Sequence, residues 1–231
     1  MKHLIKFFLA LLFLSNMALG ASLVAHGSGA GVNTFTISGL NTSAANLIVI
    51  EVSGFSGVTP TVSSSPANTW TPLTRRTDAS SNSAQLFYCS SCAVSASQSF
   101  TLTGTGMFAS MFVQAWSGGD TSPFDQQNQG AITFTSLQPG SVTPTVDNEI
   151  VVTGMVIDAT NTLSINSSFT ISDQLNNVGG VSKGGGMASI VQGAKAAVNP
   201  TWSWSTSANA IAVIATFKTT SPSGVIFKPF P

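Results

Sequence analysis

The chain has 231 residues, 8 basic and 8 acidic side chains, and only 7% charged residues, against roughly 25% in an ordinary soluble domain. Hydrophobic residues at 43% and aromatics at 9% exclude disorder on composition alone. So few cations cannot build a phosphate-neutralising surface, which excludes nucleic acid as a partner.

At the start, Lys2, His3 and Lys6 make a positive opening to a nearly all-apolar run over 4–14, and Ala18 and Gly20 precede Ala21 at a small-residue cut site. This is the pattern of a secretory signal peptide, residues 1–20. About eleven apolar residues are too few to span a bilayer comfortably. The mature chain is therefore expected to be exported, secreted or periplasmic, and not membrane-spanning. It retains six basic against eight acidic groups, a net charge of −2, and His26 as its one histidine. Residues 21–218 are read as a single β-sandwich domain and 219–231 as a C-terminal tail.

Beyond the signal, short runs rich in Val, Ile, Thr and Phe alternate with Gly, Pro, Ser and Asn clusters, and no helical periodicity appears. In chain order, strands are predicted near 22–26, 34–38, 46–53, 59–63, 70–74, 84–89, 98–103 and 109–117. The series continues near 131–136, 141–145, 148–157, 162–171, 187–193, 200–205 and 209–218. The polar segment 118–130 reads as a packed crossover, and the glycine-rich stretch 179–186 as a mobile hairpin loop. The protein is all-β.

Cys89 and Cys92 close the strand 84–89. In an oxidising compartment they are expected to form a small structural disulfide. Two cysteines and one histidine fall short of a zinc ligand set, and no helix N-terminus is signalled that would make a redox pair of them.

The halves repeat weakly. The run starting at Asn46 (Asn-Leu-Ile-Val-Ile-Glu-Val) aligns with that starting at Asn148 (Asn-Glu-Ile-Val-Val-Thr-Gly), and Phe100 and Leu102 with Trp202 and Trp204, each at an offset of 102. Residues 109–116 align with 210–217 at an offset of 101. Two architectures satisfy such a repeat. One is a jelly-roll-like antiparallel β-sandwich with two pseudo-repeated halves; the other is two tandem immunoglobulin-like domains. The first is preferred, because 118–130 lacks the composition of a linker.

Three short motifs, Asn68-Thr-Trp70 after Ser63-Ser-Ser65, Gln114-Ala-Trp116-Ser-Gly118, and Asp147-Asn-Glu149-Ile-Val-Val152, resemble those of exported bacterial and phage-borne β-sandwich modules. The resemblance runs over about 34–218. It implies a jelly-roll-like extracellular or virion module and transfers no catalytic residue.

The chemistry-bearing residues are few. A Ser-His-Asp mechanism has only His26 to use, and Gly27-Ser28-Gly29 lacks the spacing of a nucleophile elbow; a solvated strand-end histidine is expected. Glycoside hydrolysis needs two carboxyl groups held across a sugar. Among the eight acidic residues only Glu51 lies inside an apolar strand, where desolvation raises a pKa. Its neighbours on the same face, Val49 and Ser53, supply no second carboxylate, and its repeat partner at offset 102 is Thr153. Glu51 is therefore expected to point outward or to pair with Arg75 or Arg76, and it stays a weak catalytic candidate.

Asp120 and Asp125, and the cluster Asp147-Asn148-Glu149, carry oxygens suited to calcium, but no EF-hand spacing is present, and turn chemistry is the expectation. No cofactor or metal is called for. Trp202 and Trp204 alternate with serine on one strand face. Exposed, they would form a platform for sugar rings; aligned with Phe100 and Leu102, they are expected in the core. A ligand site is then expected in loops near 75–82 or 118–130, with Asp120 and Asp125 as weak candidates beside the tryptophans.

The leading functional expectation is a secreted, non-enzymatic β-sandwich acting by surface contact, binding carbohydrate or a cell surface. The alternatives are a structural subunit of an envelope, appendage or virion, and a glycoside hydrolase using Glu51.

Overall fold

The computed structural model describes residues 20–55, 59–106, 108–178 and 180–220. The expected signal segment, Gly20 apart, and the tail beyond Thr220 lie outside the described residues. No helix among the described residues is long and apolar enough to cross a membrane.

The chain is all-β and antiparallel, in sandwiched sheets. The first half supplies β1 (Ser22–Val32), β2 (Phe35–Leu40), β3 (Leu47–Gly54), β4 (Thr61–Ser65), β5 (Thr71–Pro72), β6 (Arg76–Thr77), β7 (Ser83–Ser90), β8 (Gln98–Thr103) and β9 (Phe108–Ser117). The second supplies β10 (Gly119–Leu137), β11 (Glu149–Ile157), β12 (Ser164–Ile165), β13 (Thr170–Leu175), β14 (Gly184–Gln192) and β15 (Trp202–Thr219).

The repeat predicted from sequence is a repeat of topology. The large sheet of the first half has the order β1-β9-β3-β7-β5, and that of the second β10-β15-β11-β14-β13. Matched by their positions in the chain, the two orders are the same. Each half adds smaller pairings on one side: β2-β8-β4 in the first half, and β12 against the start of β15 in the second.

Strand alternation explains the layering, because successive side chains point to opposite faces. In β3, Ile48, Ile50 and Val52 face a core formed with Phe100 and Leu102 of β8. Leu47 and Val49 face the other way, into a core shared with Ile150, Val152 and Val156 of β11. In turn β11 sends Val151, Met155 and Ile157 into a third core with Trp202 and Trp204. Strands buried on both faces read as continuous apolar runs, as β3 and β11 do. The two large sheets thus lie face to face at the centre, and each half closes a core of its own on the outer side.

The two halves differ in continuity. In the first, the ribbon that crosses from large to small sheet is broken twice, between β1 and β2 and between β8 and β9. Asn33 stands at one break with φ 67° and Gly106 at the other with φ 70°, and the Gly106 N–H donates to Asn33 Oδ1 at 2.7 Å. In the second half β10 and β15 are each one continuous strand, and their ladder passes the same place with a register shift: Phe134 pairs with Ala208 and Ser136 with Ser203. The expected crossover 118–130 is therefore most of an edge strand, and the two strands predicted at 200–205 and 209–218 are one. Segment 141–145 contributes only a bridge, Val142 to Val198. The stretch read as a mobile loop is, from Gly184 onward, the buried start of β14; a Cβ on Gly185 would sit 2.8 Å from the Met155 carbonyl oxygen, so close strand packing explains the glycines.

Candidate functional site

Glu51 is the first correction. It is fully buried and faces the central core, neither outward nor paired with an arginine. Its Oε1 accepts from the Ser53 hydroxyl at 2.7 Å, and its Oε2 has no partner. Burial holds its carboxyl well above the ordinary carboxylate range, against a smaller downward pull from Ser53. The ladders also revise its repeat partner. Leu47 pairs with Trp116 and Ile150 with Phe217, so four residues on, Glu51 opposite Phe112 corresponds to Gly154 opposite Val213. A one-residue slip would put the partner on the wrong face; Gly154, not Thr153, is the equivalent. A carboxyl enclosed here has no path to a substrate.

The other acidic candidates hold turns and loops. Asp120 accepts from the Ser122 N–H at 2.9 Å. Asp125 accepts from the Thr145 N–H and hydroxyl, both at 2.9 Å, and pairs with Lys218 at 3.5 Å. Glu149 accepts from the Thr145 and Val146 N–H groups at 3.0 Å. The two carboxyls form one unit. Burial pushes Asp125 up, but the Thr145 donors, the Glu149 carboxyl and Lys218 outweigh it and leave it low. Burial first, then the Asp125 charge, leaves Glu149 raised despite donation from Val146 and Thr216. Both carboxyls accept from Thr145 and together pin the segment around it. Among the described residues, no three His, Cys, Asp or Glu side chains gather as a metal site.

His26 lies within β1, not at a strand end, and its Nδ1 meets Asp173 Oδ2 at 2.8 Å. Ser28 donates to the same carboxylate at 3.5 Å. The serine faces the acid and not the imidazole, so the order of a proton relay is absent. This cluster ties β1 to β13, one half to the other.

Cys89 and Cys92 lie at disulfide distance, with Cα atoms 5.7 Å apart. Trp202 is fully buried, with its indole N–H donating to Thr153 Oγ1 at 3.1 Å, and Trp204 is 6% exposed. Neither indole offers a face to a sugar. The expected loop 75–82 does line a groove of about 320 Å³ with Thr133 and Asn209.

A different cleft carries the ligand-like features. It opens in the first half between the β4 edge of the small sheet and the β5–β7 edge of the large one, with a volume of about 340 Å³. Pro60, Val62, Trp70, Pro72 and Phe87 make its apolar wall, Thr59 and Thr61 line it beside them, and Gln85 adds an amide. Among the described residues no charged side chain lines it. Gln85 and Phe87 share a face of β7 by strand alternation, and Trp70 packs edge-on to Phe100 with ring centroids 6.1 Å apart. Asn68 fixes the segment entering Trp70: it accepts from the Ala93 N–H at 2.7 Å and donates to the Ala93 carbonyl at 3.0 Å. Arg75 steadies Thr59 with a 2.8 Å bond while also reaching Ser83 at 2.9 Å.

Two polar atoms of cleft-lining side chains are buried without partners: the Trp70 indole N–H and Gln85 Oε1. Gln85 uses its Nε2 on the Leu73 carbonyl at 2.8 Å. Buried polar atoms are satisfied in the great majority of cases, so a donor and an acceptor left open together mark this cleft out.

The second half has the same place, filled. The pairing of Pro72 with Phe87 corresponds to that of Ile171 with Ala188, which sets Phe169 in the position of Trp70. Leu163 takes the position of Val62, and Gly186 that of Gln85. A Cβ on Gly186 would stand 3.1 Å from Leu163 Cδ1, so Leu163 occupies the space that an amide takes in the first half. Leu163 and Phe169 are 4% and 7% exposed, whereas Val62 and Trp70 are only half-buried.

Sequence reasoning met Trp70 as part of a short motif and missed this site. The aligned halves hold the one signal that could have found it, a Trp–Gln pair set against a Phe–Gly pair. Comparison with protein-family models, curated proteins and solved structures matches none of them.

Proposed function

We propose that the protein is an exported, non-enzymatic β-sandwich that acts by surface contact and binds neutral carbohydrate in the first-half cleft. The observation that carries this reading is the open, uncharged cleft with an aromatic wall and an unpaired donor and acceptor. Sugar rings stack their apolar faces on aromatic side chains and offer hydroxyls or amides to nearby polar atoms. A volume of about 340 Å³ falls at the small end of ligand sites, which span roughly 300–1,000 Å³. A glycan array probed with the wild-type chain and with Trp70→Ala, both checked for folding by thermal melting, tests it. Signal on neutral glycans that disappears in the variant is expected; equal signal from both would overturn it.

One observation favours assembly as a second reading. Phe134 is 65% and Ile132 37% exposed on β10, which forms an edge of its sheet, and exposed apolar edges promote strand pairing between chains. Sedimentation of the wild type against Phe134→Ser separates the two readings.

A further inference from the structure

The two orphaned atoms also select among sugars, an inference that rests on the carbohydrate reading above. We infer that the first-half cleft recognises an acetamido group, as carried by an N-acetylhexosamine, with the Trp70 indole N–H donating to its carbonyl and Gln85 Oε1 accepting from its amide N–H.

The argument is one of complementarity. The cleft presents one unpaired donor and one unpaired acceptor on separate side chains that do not bond each other. An acetamido group carries the opposite pair, a carbonyl oxygen and an N–H, on one rigid plane. Its methyl group matches the apolar surface of Val62 and Phe87. Among the described residues no charged side chain lines the cleft, and Arg75, which bonds the lining Thr59 hydroxyl, is also engaged with Ser83. A site built to bond a particular polar group discriminates strongly against an analogue that lacks it, because its own buried atoms are then left unpaired.

Access follows from the fold. Both atoms are shut off from water, so a ligand reaches them only if the walls part slightly. The β4 wall pairs with β8 in the small sheet and β7 belongs to the large one, so no strand-to-strand ladder joins the two walls.

The experiment is calorimetric titration of the full chain with N,N′-diacetylchitobiose (chitobiose below) and cellobiose, two disaccharides that differ in carrying an acetamido group or a hydroxyl at C2 of each ring. An N-acetylated dipeptide amide is the third probe. Chitobiose is expected to bind at least about tenfold more tightly than cellobiose. Trp70→Phe keeps the ring and removes the N–H, and Gln85→Met keeps the bulk and removes the acceptor. Each folded variant is expected to lose most of that preference while retaining weak binding of both sugars. Equal binding of the two disaccharides would overturn the acetamido assignment and leave the carbohydrate reading standing. Binding of neither would overturn both. Binding of the dipeptide without chitobiose would show that the cleft takes a peptide amide, and would sink the proposal.

Discussion

Gly154 is the recess that accommodates Glu51. A Cβ placed on Gly154 would fall 2.1 Å from Glu51 Cγ, and the two residues occupy equivalent positions in the two halves. The centre of the molecule is thus asymmetric at the point where the repeat brings it face to face with itself. One copy supplies a long side chain and the other an empty position.

Gly154→Ala is expected to destabilise the fold by about 1–3 kcal/mol or more through overpacking. The Glu51→Ala/Gly154→Ala double variant should recover part of that loss, since the clash needs both side chains. Chemical denaturation of the four proteins in a double-mutant cycle measures the coupling; simple additivity would show that the contact does not govern the interface.

Glu51 also makes stability depend on pH in a defined direction. Its folded carboxyl titrates well above an ordinary one, chiefly through burial, while in the unfolded chain it titrates near about 4.3. Between those values the folded state holds the proton and the unfolded state does not. Stability is therefore complete below the unfolded value and declines as pH rises toward the folded one. Glu51→Gln should raise the melting temperature more at pH 8 than at pH 4.5. Glu149, also raised, should keep a residual slope of the same sign in the variant. An identical change at both pH values would count against the burial of a titrating group.

Trp202→Ala is expected to cost about 3–5 kcal/mol, because the indole is fully enclosed and its N–H is bonded to Thr153. Denaturant midpoints report it. A change within about ±0.5 kcal/mol would mean that the ring is at the surface.

The Cys89–Cys92 link closes a short loop, so its entropic contribution sits at the low end, about 2 kcal/mol. Replacing both by serine should lower the melting temperature and leave a cooperative transition. Intact mass of the protein purified without reductant should show no free thiols.

Expressed apart, the halves 20–118 and 119–220 would each expose one side of the central core, including Phe112, Leu86 and Val49 on one and Ile150, Val152 and Phe217 on the other. They should aggregate alone and associate when refolded together. Two soluble monomeric halves would identify tandem independent domains.

Much of the fold was legible in the sequence because strands buried on both faces leave long apolar runs, as in β3 and β11. The ribbon of the second half was not. Gln126-Gln-Asn128 has loop composition, and it is extended because β10 pairs there with Ile214–Thr216 of β15; Ser205-Thr-Ser207 lies in a register shift of the same ladder. Tertiary pairing outweighed local propensity. Glu51 was misplaced for a related reason. A charge in an apolar strand reads as outward-facing, and the cavity that admits it lies on a strand about a hundred residues away. The cleft stayed hidden because nothing local separates a packed tryptophan from one beside a void.

The filled and open versions of one site, Phe169 with Leu163 and Trp70 with Val62, imply that the copies tolerate substitution differently. In the second half any apolar side chain of similar volume should serve at Phe169 or Leu163, since the demand there is to occupy space. In the first, the proposed carbohydrate site sets a second demand on Trp70, and under that proposal a volume-conserving exchange preserves folding while abolishing binding. A library varied at the four positions and sorted separately for folding and for ligand capture would resolve two patterns of constraint within a single duplicated architecture.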